Sequence, residues 1–259
     1  MVVTAAQIKE LREITGVWMM ECKDALVATD WDMEKAMEEL RKKGLSKAAK
    51  KADRETSEWS IRIECEGEKC YVVALTCETD FLAKSEGFQS LLTELMNMLK
   101  AGKSLEEMEQ VKKESVLKLG ENMIIKEAKV ISWAKIDSYV HSNWKLAAVI
   151  VSKKSDTDWE KLRQVAMHVT ATNPDYLATT DISEEVIVKE TEIQRETMKN
   201  DPKLTWKPEQ VLENILAWKI SKFKDDISLL EQAFVINPDL KVKHFIWEDT
   251  LESFYRFSI

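Results

Sequence analysis

Apolar residues recur at helical spacing through the first forty positions. Ile8, Leu11 and Ile14 form one stripe that Gly16 ends. Cys22, Ala25 and Leu26 form a second between about Met19 and Ala28, and Met33, Ala36, Met37 and Leu40 form a third that Asp32 can cap and Gly44 ends. Thr4 followed by Gln7 has capping-box spacing. The pattern predicts a small three-helix bundle over residues 1–44, near the lower size limit for a domain that folds alone. Met19 and Met20 are adjacent, so they cannot both face one core, and one is expected at the surface as an adaptable contact.

Residues 45–57 carry lysines, alanines and one arginine with no large apolar residue after Leu45, which reads as a basic, solvated linker. Beyond it the period changes from helical to alternating and continuous apolar runs. Two hairpins resemble each other, one turning at Gly67 and the other at Asn143, 76 residues apart. An amphipathic helix follows each: Phe88, Leu91, Leu92, Leu95, Met96 and Leu99 in the first copy, Leu162, Val165, Ala166 and Val169 in the second. The fold class is therefore α+β with a duplicated hairpin-and-helix core, residues 58–134 in one half and 135–180 with 226–259 in the other. Ser183 and Pro208 open two charged helices joined by the short interval NDPKLTWKP, which predicts a protruding antiparallel helical hairpin over 181–225. A short helix around Leu240–Trp247 and a last strand near Phe254–Phe257 are expected to complete the second half.

The copies differ most just after the second strand. Only the first has Thr79-Asp80-Phe81, where the apolar run Tyr71–Leu75 gives way to polar residues and then to a helix. A large ring in such a loop either folds back to plug the strand end or stands out as a contact, and the pattern leaves both open.

A net charge of −8 and a pI near 5.2 argue against nucleic acid as a partner, since phosphate contacts need a clustered positive surface. No run of 18 apolar residues occurs, so no membrane role is expected and the location read from the chain is cytoplasmic. The four cysteines match no zinc spacing and are expected to be reduced and structural. Cys65 and Cys70 flank the hairpin turn and can face each other, which alone does not establish a disulfide. No glycine-rich phosphate loop exists, and His141, His168 and His244 stand apart from any nucleophile at recognised spacing. His168, on the second amphipathic helix, reads as a satisfied, half-buried histidine. No catalytic residue, cofactor or metal site is expected, and the chain is not expected to be an enzyme.

The segments LREITGVWMMECKDAL, MEKAMEELRKKGLSKAAKKA, TDFLAKSEGF, VAMHV and LLEQAFV, in this order, resemble the bacterial elongation factor Ts family. The resemblance implies guanine nucleotide exchange on elongation factor Tu, in its GDP-bound and nucleotide-free forms, during translation elongation. It places Arg12, Met19 and Met20 in contact with the GTPase domain, and Asp80 with Phe81 beside its magnesium and phosphate site. A homodimer is compatible with it. The alternative is a non-catalytic protein-binding scaffold carrying a UBA-like module. One departure is systematic: Trp18, Trp31, Trp59, Trp144, Trp206 and Trp218 stand where the family typically has glycine. The expectation is a UGA codon that means glycine and has been read as tryptophan.

Overall fold

A computed structural model describes residues 5–204 and 206–258. Thr4 of the expected capping box lies outside them. The chain opens with α1 (Ala5–Thr15), α2 (Met19–Ala28) and α3 (Met33–Lys51), followed by the hairpin β1 (Glu58–Glu66) and β2 (Lys69–Cys77). Three helices then lead to the next strand: α4 (Asp80–Ala83), α5 (Glu86–Lys100), α6 (Leu105–Leu119) and β3 (Met123–Ser132). The second half runs β4 (Lys135–Val140), β5 (Ala147–Ser152), α7 (Trp159–Thr172), α8 (Glu184–Lys199), α9 (Glu209–Ile227), β6 (Ala233–Phe234), β7 (Asn237–Lys241), α10 (Val242–Ile246) and β8 (Leu251–Phe257). Contacts divide the chain into two compact units. One runs through Glu64 and takes in Tyr71–Ile131; the other comprises Cys65–Cys70 and Ser132–Ser258.

The duplication is visible in both sheets. Their orders are β1-β2-β3 and β4-β5-β8, so each hairpin gains a third strand beside its second one. The middle strand is buried in each case, with Val72–Leu75 and Ala147–Val151 at no more than 1% exposure. That is why β2 and β5 read as continuous apolar runs rather than alternating ones. In the first sheet's core, Phe88, Leu91, Leu92, Leu95 and Met96 of α5 pack with Val73, Leu75 and Met108. In the second, Leu162, Val165, Ala166 and Val169 of α7 pack with Ala148, Ile150, Leu229, Phe234 and Leu251. The architecture is α+β, as the patterning indicates.

Four local expectations are corrected. Gly44 does not end α3, which continues to Lys51 through what reads as linker. The glycine is buried at a close approach: a Cβ there would sit 3.4 Å from Leu117 Cβ and 3.5 Å from the Glu114 carbonyl of α6. A Cβ there would make ordinary van der Waals contact, so the residue marks a helix crossing and not a helix end. Ala48, one turn on, joins the first sheet's core. Ile14 is 56% exposed, so the α1 stripe that faces inward stops at Leu11. Cys65 and Cys70 are joined as a disulfide rather than reduced, because the two-residue turn Gly67-Glu68 brings their Cα atoms to 4.0 Å on neighbouring strands. Leu240 lies in β7, and the helix after it is only Val242–Ile246.

His168 is fully enclosed. Its Nε2 lies 2.9 Å from Gln232 Oε1, and its Nδ1 accepts from the Val235 N–H at 3.1 Å. With Nδ1 accepting, Nε2 carries the proton, which fixes the neutral tautomer. Burial pushes the imidazole below its usual range. α8 and α9 run antiparallel, tied by Arg195–Glu213 at 3.7 Å and Lys219–Gln194 at 3.0 Å.

Candidate functional site

The turn after β2 is fastened by residues far away in the chain. Glu121 accepts twice from Thr79, from its N–H at 2.9 Å and its hydroxyl at 2.6 Å. Thr79 Oγ1 in turn accepts from the Leu82 N–H at 3.3 Å and caps α4. Next to it Glu78 accepts from the Asn122 N–H at 2.6 Å and pairs with Arg54 at 3.4 Å, while the Asn122 amide donates to the carbonyls of Ala52 and Arg54. On the far side, Gln89 donates to the Ala83 carbonyl at 2.8 Å and Ser85 caps α5. The Cys77 thiol, pushed up to about 12 chiefly by burial, stays protonated and donates to the Thr79 carbonyl at 3.2 Å.

Within this fastened turn, Leu82 and Ala83 point into the core of the first sheet. Successive helical residues are rotated by about 100°, so fixing those two turns Phe81 outward. Its ring is 84% exposed, the highest exposure of any large apolar residue described. Asp80 precedes it with its carboxylate 2.9 Å from Lys84 Nζ, and that bond raises the lysine pKa. The strand-to-helix position is the one the sequence indicates, and the plug geometry is not adopted.

The other three sequence-derived residues stand on α1 and α2. Arg12 is exposed at the end of α1, and Met19 and Met20 open α2 at 50% and 64% exposure. The sequence places one methionine at the surface; both are there, because the α2 core face begins only at Cys22. Ile14, Trp18 and Val27 add exposed apolar surface on the same module. Glu121, Glu78 and Asn122 are the residues that sequence reading misses. Glu121 acts across 42 positions, and no local pattern marks such a partner.

Among the described residues no group of three or more histidine, cysteine, aspartate or glutamate side chains could hold a metal ion. None of their helices is long and apolar enough to cross a membrane. Fold and site together define an α+β protein with exposed apolar side chains, one on a fastened turn and others at a helix end. The sequence model of elongation factor Ts matches residues 78–259, and the chain belongs to that family. Its members are nucleotide exchange factors for elongation factor Tu in translation elongation, not catalysts of covalent chemistry.

Proposed function

We propose that this chain speeds GDP release from elongation factor Tu by pressing Phe81, with Asp80 beside it, against the magnesium and phosphate region of the GTPase. Arg12, Met19 and Met20 dock the helical module on the GTPase domain. The observation that carries this reading is a phenylalanine ring 84% exposed on a turn tied at both ends. Burying such a ring in a partner gains roughly 1.5–3 kcal/mol. A turn already ordered loses little further entropy when it docks.

GDP is held largely through its phosphates, by backbone N–H groups and Mg²⁺. A wedge that displaces elements around the ion weakens the nucleotide without occupying its site. Reciprocity follows: a factor that loosens GDP is itself loosened when nucleotide returns, so a ternary complex forms, GDP leaves, GTP enters and the factor departs. A thousandfold faster release needs about 4 kcal/mol of coupling. One buried ring together with a docked helix end is enough.

Release of a fluorescent GDP analogue from elongation factor Tu, with and without this chain, tests the reading. The intact chain is expected to accelerate release and Phe81→Ala to lose most of that acceleration. Full activity in Phe81→Ala would remove the wedge. No acceleration by the intact chain, and none with glycine at positions 18, 31, 59, 144, 206 and 218, would remove the exchange role.

A further inference from the structure

Tryptophan is concentrated in this chain where backbone geometry disfavours it. Among the described residues five other than glycine have positive φ: Asp30, Trp31, Trp144, Asn173 and Trp247. Asp and Asn visit this region routinely because their short polar side chains bond locally. A bulky side chain there is an outlier, yet three of the five are tryptophans.

Each marks a chain reversal. Trp31, at φ 71°, follows the end of α2 and donates its N–H to the Leu26 carbonyl at 2.8 Å, closing that helix end. Trp144, at φ 55°, lies in the turn between β4 and β5 and donates to the His141 carbonyl at 2.8 Å. Trp247 ends α10 at φ 66° and ψ 131°, outside the small left-handed region open to side chains. Packing does not explain two of them, since Trp144 is 48% and Trp247 68% exposed; Trp31 packs in part on the helical module.

Composition points the same way independently. Six glycines in 259 residues is about a third of the usual share of about 7%. Nine tryptophans accompany that deficit, so glycine is scarce in the same chain in which tryptophan is abundant.

We propose that positions 31, 144 and 247 are glycine in the protein as its own cell makes it, inserted at UGA codons decoded by a glycine-bearing tRNA. Trp247 joins Trp31 and Trp144 on backbone grounds alone. Trp18, at φ −60° and ψ 141°, has a backbone open to either residue, and Trp59 in β1 is 4% exposed.

Peptide mass spectrometry of the protein purified from its native cells, with the coding DNA read alongside, tests this. Glycine masses at 31, 144 and 247 over UGA codons are expected; tryptophan masses or UGG codons there overturn the proposal. A second arm reads the backbone directly by urea denaturation of the chain as written. Trp31→Gly, Trp144→Gly and Trp247→Gly are each expected to raise the folded-to-unfolded ratio by roughly 5–30-fold. Trp159→Gly, at a helical position where Lys135 Nζ lies 3.7 Å from the ring centroid, is expected to lower it. If the first three also lower it, glycine is not the residue these backbone positions favour and the proposal is overturned.

Discussion

The two hairpins are followed by turns that do opposite things with the same scaffold. After β2 the chain enters α4 within three residues and holds the Phe81 ring in water. After β5 it closes on itself. Buried Ser152 contacts the Thr157 hydroxyl at 2.7 Å and accepts from the Lys154 N–H at 3.1 Å; Asp158 caps α7, and Lys154 pairs with Asp249 at 2.7 Å. Both turns are held by hydrogen bonds, and the first carries Phe81 exposed at its surface. The same hairpin-and-helix scaffold thus leads into two different loops.

Substitutions can break this contrast, beginning with the largest effect. Phe88→Ala, in the core beneath the first turn, is expected to cost about 3–5 kcal/mol in urea denaturation and to remove exchange activity with the fold. Glu121→Ala removes both acceptors that hold Thr79. It should cost about 1 kcal/mol of stability, yet slow exchange about tenfold because the ring is no longer held in one place. Faster hydrogen exchange at the Leu82 amide would show the loosened cap. Phe81→Ala should leave stability within about 0.5 kcal/mol of the parent, since the ring has no covering in the free protein. A marked loss of stability would mean that the ring serves its own fold.

The second half responds instead to acid. Burial holds His168 below its unfolded pKa of about 6.5, so the unfolded chain takes up a proton more readily than the folded one. The stability it contributes is complete above that value and falls as pH drops from about 6.5 toward the lower folded pKa. Denaturation midpoints between pH 7.5 and 5 should fall in the parent and flatten in His168→Gln. An unchanged slope would place the acid sensitivity elsewhere.

How much of this was legible follows from the range of each cause. The buried strands, the helices behind them and the site of Phe81 are set by neighbours a few residues away, so periodicity shows them. Gly44 was misleading because glycine punctuates helices more often than it admits a second one, and only the α3–α6 crossing distinguishes the two roles. The outward turn of Phe81 depends on Glu121 and on the core that takes Leu82, and neither partner is local. The third strands β3 and β8 sit 46 and 99 residues beyond the ends of the strands they join, distances at which sequence carries no pairing signal.

The close approach at Gly44 also has a consequence for how the molecule comes apart. Leu117 of α6 completes the core of the three-helix module, while Ala48 of α3 completes that of the first sheet, so each core holds a residue owned by the other. Unfolding either core removes a packing residue from the other. The module that carries Met19 and Met20 is therefore expected to unfold together with the sheet that precedes Phe81, and a fragment ending at residue 44 would lack part of its own interior.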